Sequence, residues 1–183
     1  MPGHDQLALG QPVEARDDRP LTAELLCARY AQRVYRFAAM VAAGEVEAED
    51  LAQDALVRAI RNLARYDARR GSVETWLWRI VVNAAIDAGR VSTRRRLLWE
   101  RFRSQPTTGE NVEELALMRI TAAELLAAVR RLRSRERGMI ALRFGAGLGF
   151  AEVGAAYGIS PAAATVATRR ALDTLRILLK ETR

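Results

Sequence analysis

Apolar residues return every three or four positions along most of this chain, the spacing of one helix face. The segment LTAELLCARYAQRVYRFAAMVA predicts one or two helices, broken at Gly44. The next segment, EVEAEDLAQDALVRAIRNLARY, predicts a helix that turns Ala52, Leu56, Ala59 and Leu63 toward a core. Its acids Glu45, Glu47, Glu49 and Asp50 crowd one end and Arg58, Arg61 and Arg65 the other, which complements the helix dipole. DARRGS then reads as a loop, with Ser72 as the N-cap of the next helix.

The helix VETWLWRIVVNAAIDAGR divides into two faces. Leu77, Val81, Ala84 and Ala88 fall on an apolar side, and Trp76, Arg79, Asn83, Asp87 and Arg90 on another. Guanidiniums bind phosphates, an amide reads base edges and an aromatic stacks on an extruded base. From periodicity alone, the solvated exterior of a helix is the stronger reading of this stripe. Farther on, STRRRLLWERFRSQPTTGENVEE reads as a linker.

Helical spacing then resumes. Thr121 and Glu124 form a capping-box pattern for a helix through Leu132. Ser134 is placed to cap RERGMIALRF, which ends at Gly145. FAEVGAAY is a short helix closed by Gly158, and Ser160-Pro161 opens a long one. Short helix, tight turn and longer helix is the helix-turn-helix layout; a plain helical hairpin would read alike. On the long helix Ala164, Ala171, Leu175 and Leu178 face a core, and Ala162, Thr165, Val166 and Arg169 face outward. The expected fold is all-α: two small helical domains, at 20–92 and 115–183, joined by a flexible linker at 93–114. Residues 1–19 read as a disordered tail. Each domain is small enough that its own core would be marginal.

Composition narrows the chemistry. The formal net charge of +7 points to a polyanionic partner, nucleic acid before membrane. With one cysteine (Cys27, read as a small buried hydrophobe) and one histidine (His4), the usual Cys/His metal sites and any histidine triad are excluded. No cofactor is expected. The chain shows no signal peptide or apolar span, so the expectation is a cytoplasmic protein without membrane insertion.

Two blocks, AEDLAQDALVRAIRNLARYDARRGSVETWLWRIVVNAAID and LRSRERGMIALRFGAGLGFAEVGAAYGIS with its long helix, resemble regions 2 and 4 of extracytoplasmic-function (ECF) bacterial sigma factors. The resemblance covers nearly everything from Leu21 to Leu179, in the family's order. It implies a non-enzymatic transcription initiation factor that binds core RNA polymerase and promoter DNA. It assigns polymerase binding to Asp50, Gln53, Asp54, Arg58 and Arg61. Melting and reading of the minus-ten element fall to Trp76, Arg79, Asn83, Asp87 and Arg90, which reverses the solvated-face reading. Reading of the minus-thirty-five element falls to Ser160, Ala162, Thr165, Val166, Arg169 and Arg170. The family often pairs with an anti-sigma factor, and the same is expected here. Two departures stand out: Val82 precedes Asn83, and Thr165 and Ala167 occupy positions where the family is commonly basic. The rival readings are a stand-alone helix-turn-helix regulator and a sigma-like chain whose region 4 is a protein-interaction module. A helical enzyme acting on RNA or nucleotides lacks a phosphate loop, a metal cluster or a catalytic histidine to support it.

Overall fold

The computed structural model describes residues 21–100 and 122–181. The N-terminal tail with His4, the Thr121 cap and most of the predicted linker lie outside the described residues. Among the described residues there is no strand, in keeping with the all-α expectation. The N-terminal half holds α1 (Ala23–Val41), α2 (Glu45–Arg61), two 3-10 turns (Leu63–Arg65 and Ala68–Arg70) and α3 (Val73–Glu100). The C-terminal half holds α4 (Ala122–Arg131), α5 (Ser134–Ile140) with a π turn at Ala141–Gly145, α6 (Phe150–Tyr157) and α7 (Pro161–Glu181).

Local signals set most boundaries. Thr22 Oγ1 accepts from the Leu25 amide at 3.3 Å, Ser72 Oγ from Thr75 at 3.2 Å and Ser160 Oγ from Ala163 at 3.2 Å. Gly44 caps α2. Gly158 takes φ 67°, and the Ile159 amide reaches back to the Gly154 carbonyl at 2.9 Å, closing α6. Gly154 is needed for contact: a Cβ there would stand 2.7 Å from the Ile159 carbonyl oxygen. The α6–turn–α7 unit is thus drawn tight.

One open expectation is decided and others are corrected. The segment before Gly44 is a single helix, because Leu26, Tyr30, Val34 and Phe37 keep one buried face throughout. Ala88 is exposed; the inward arc of α3 is instead Leu77, Trp78, Val81, Val82 and Ala84. The helix α3 runs on to Glu100, past Ser92. Arg133, not Ser134, takes the N-cap position of α5, its amide bonded to the Glu136 carboxylate at 3.3 Å. Cys27 is half-buried.

The larger core is built on α1, α2 and α3 around Trp78, Tyr30, Phe37 and Leu77. Phe37 meets Trp78 edge to face, ring centroids 6.0 Å apart. Met139, Leu142, Leu148 and Val153 of the C-terminal half belong to the same cluster. A second, smaller cluster joins Val129, Leu132, Ile140, Ala171 and Leu175.

Candidate nucleic-acid interface

A cleft of about 400 Å³ opens where the turns after α2 meet the start of α3. Its walls include Arg65, Tyr66, Arg70, Trp76, Arg79 and Asn83. Tyr66 and Trp76 lie against one another, centroids 5.3 Å apart at 50°. The Tyr66 hydroxyl donates to the Gly71 carbonyl at 3.2 Å, folding the loop over. Gly71 has φ 151°, a conformation that side chains with a Cβ resist. Asp67 accepts from the Arg69 amide at 3.0 Å and from its guanidinium at 3.1 and 3.2 Å. That guanidinium, helped by the backbone amide, holds the Asp67 carboxyl below its usual range. Asp67 is therefore an ionised peg that shapes the loop.

The stripe on α3 is divided in its surroundings. Trp76 is half-buried at the cleft, while Arg79 and Asn83 are exposed and make no hydrogen bond among the described residues. Asp87 lies farther along and is engaged elsewhere: Arg58 Nη1 of α2 reaches it at 2.8 Å, with Arg90 at 3.9 Å. An acid so placed orients arginines and would repel a phosphate by itself. Asp87, followed by Asp54, raises the Arg58 pKa above its usual value. Val82 is 2% exposed, so the position before the amide is a core position in this chain.

On α2, Asp50, Gln53, Asp54 and Arg61 are exposed, and Arg58 is half-buried between Asp54 at 2.8 Å and Asp87. On α7, Ser160, Ala162, Val166, Arg169 and Arg170 are exposed and Thr165 half so. The Thr165 hydroxyl donates to the Pro161 carbonyl at 2.9 Å, which leaves its methyl as the free contact group. The expected inward residues Ala164, Ala171 and Leu175 are buried.

Sequence reasoning found the α3 stripe and missed the loop that completes the cleft. Tyr66, just before Asp67 at the foot of a run of arginines, was the available signal. No His/Cys/Asp/Glu group able to hold a metal is present among the described residues, and no described helix is long and apolar enough to cross a membrane.

A helical half with an aromatic, amide-bearing cleft and a second half ending in a short helix, a tight turn and a long helix define a two-part, all-helical class of protein. Sequence relatives make this specific. The Sigma-70 region 2 family matches residues 26–96. The RNA polymerase sigma factor CarQ of Myxococcus xanthus is 33% identical over 166 residues, covering 91% of this chain and 94% of that protein. The ECF RNA polymerase sigma factor BldN of Streptomyces coelicolor is 31% identical over 162 residues, 84% of this chain; the match spans 58% of that relative's length. The chain belongs to the ECF group of RNA polymerase sigma factors. Its fold resembles the sigma factor RpoE, solved in complex with the anti-sigma factor NepR from Bartonella quintana, with TM-score 0.64 at 22% identity over 87% of this chain and 96% of that one.

Proposed function

We propose that this chain binds core RNA polymerase and directs it to promoters, without catalysis of its own. The observation that carries this reading is the cleft at the start of α3, where Tyr66 and Trp76 stand beside the free Asn83 amide and Arg79 guanidinium. A planar base held outside the stack needs an aromatic wall, an edge-reading group and a cation for the adjoining phosphate. The N-terminal half would thus melt and read the minus-ten element. The surrounding Arg65, Arg69, Arg70 and Arg90 supply strand attraction, which weakens with salt. Permanganate footprinting of the holoenzyme on a melted promoter tests the cleft directly.

The exposed face of α2 is the surface offered to polymerase. Asp54→Ala removes one exposed ion pair while Arg58 keeps Asp87. Such a pair contributes about 0–1 kcal/mol, so the melting temperature should hold nearly constant. Affinity for core polymerase should fall, as read by fluorescence anisotropy. Equal affinity would remove Asp54 from this surface.

The minus-thirty-five element would be read by α7 through Val166, the Thr165 methyl and Arg169. A guanine contact by Arg169 predicts that Arg169→Ala costs about 1–3 kcal/mol and relaxes preference at one base pair. Arg170→Ala should instead weaken all sequences alike and lower the salt slope by about one unit. Holoenzyme binding to minus-thirty-five variants at two salt concentrations separates these outcomes. If neither variant changes binding, the interaction-module reading of this half replaces the DNA-reading one.

An anti-sigma factor is the further partner we propose, because the similar RpoE fold was solved bound to one. The reading also carries a cytoplasmic location, where polymerase acts.

A further inference from the structure

The stripe on α3 and the surface proposed for polymerase on α2 meet in one side chain. Arg58 engages all three of its guanidinium nitrogens within the chain. Its Nε donates to Asp54 Oδ1 at 3.1 Å and its Nη2 meets Asp54 Oδ2 at 2.8 Å, so the fork is filled from α2 itself. The remaining nitrogen, Nη1, crosses to α3 and donates to Asp87 Oδ2 at 2.8 Å. The other Asp87 oxygen has Arg90 at 3.9 Å. Asp87 lies one helical turn beyond Asn83 on the same stripe. Full burial of α3 ends at this point: Leu77, Trp78, Val81 and Ala84 are fully buried, whereas Ile86, Ala88, Gly89 and Arg90 are exposed. A Cβ on Gly89 would meet nothing within 4 Å, so no neighbour packs closely on that side of the next turn. The bridge to Arg58 therefore ties α3 to α2 just where the core contacts give out.

We propose that Arg58, acting through Asp87, is a positioning residue for promoter reading: the bridge fixes the rotation of α3 at Asn83, and neither Arg58 nor Asp87 touches DNA. This role rests on the minus-ten reading above. A side-chain tip stands about 6 Å from the axis of its helix, so about 10° of rotation about that axis carries it about 1 Å. A binding site works only when its groups are held within about 0.5 Å of the productive geometry. Trp76 sits beside Leu77 and Trp78, where the core already fixes the helix, so the bridge governs Asn83 more than Trp76. Charge points the same way. A free carboxylate on a strand-facing stripe would repel phosphates, but Asp87 is committed to the Arg58 guanidinium. Lysine at position 58 would keep the charge and lose the span, because an ammonium is a point charge and cannot repeat the planar fork toward both acids.

Two measurements on the full chain test this. In the first, promoter melting by the holoenzyme is read with permanganate at saturating protein, so that affinity for polymerase drops out. Asp87→Asn should lower melting by roughly two- to fivefold, the scale of one partly exposed ion pair. Arg58→Lys should do the same, and the two together should do no worse than either alone, because they break one bridge. The base preference that Asn83→Ala relaxes should relax in Asp87→Asn as well. A carboxylate that faced the strand would give the opposite sign, with Asp87→Asn strengthening melting. That outcome overturns the proposal, as do unchanged melting, unchanged base preference, or losses that multiply in the double variant. In the second, the Arg58 side-chain N–H signals of the free chain are followed by NMR. The Nη1 signal should be resolved in the wild type and lost to exchange with solvent in Asp87→Asn. Its absence from the wild-type spectrum overturns the bridge whatever the promoter result. If that signal is present and the wild-type holoenzyme melts no promoter, the promoter reading fails, and the positioning role with it, while the bridge stands.

Discussion

Trp78→Ala will cost about 3–5 kcal/mol of folding stability, the range for deleting a large aromatic from a packed interior. Trp78 is the largest fully buried side chain among the described residues and lies beside Phe37 and Arg33 in the larger core. Against a typical total of about 5–15 kcal/mol, such a loss leaves little reserve. Its ring nitrogen, Nε1, is buried and has no hydrogen-bond partner among the described residues, and the ring fills most of the space at this site. Trp78→Phe should accordingly cost much less than Trp78→Ala. Urea unfolding followed by circular dichroism measures both. A loss under about 1 kcal/mol for the alanine variant would contradict the placement of this residue at the centre of the core.

Trp76→Ala, two residues away, should do the reverse. The ring is half-exposed at the cleft, so its loss should leave the fold standing. Base–aromatic stacking contributes about 1–3 kcal/mol per base, which corresponds to a roughly 5- to 150-fold loss of melted promoter complex. Binding of core polymerase should be unchanged, because the surface proposed for it on α2 is untouched. The check is permanganate reactivity of thymines near the start site, compared between wild-type and variant holoenzymes. Equal reactivity would mean that no base leans on this ring.

These two tryptophans also show what could be read from sequence. The caps at Ser72, Gly158 and Ser160 were legible because each acts on its own or the next few residues. The stripe of Trp76, Arg79 and Asn83 was legible because helical period separates it from Leu77 and Val81. Trp78 was not, because a narrow core stripe drawn through Ala88 passes it by, and α3 buries a broader arc near its start. The cleft was half legible: Tyr66 reaches Trp76 only because Gly71 and Asp67 bend the loop back. Arg33 was opaque, since one of its partners lies 113 residues on and no local rule connects them. Which residues of the C-terminal half join the larger cluster was opaque for the same reason. Met139, Leu142, Leu148 and Val153 of the C-terminal half join the cluster that holds Trp78 and Tyr30, while Val129, Ile140 and Leu175 form their own.

The central claim is that this chain turns core RNA polymerase into an enzyme that starts at chosen sites. Run-off transcription with core polymerase on a library of genomic fragments tests it most directly. The account predicts discrete transcripts, each from a defined start, that appear only when the protein is added and disappear with Asn83→Ala and Trp76→Ala combined. Transcript patterns no more specific than those of core polymerase alone, on every fragment, would contradict it.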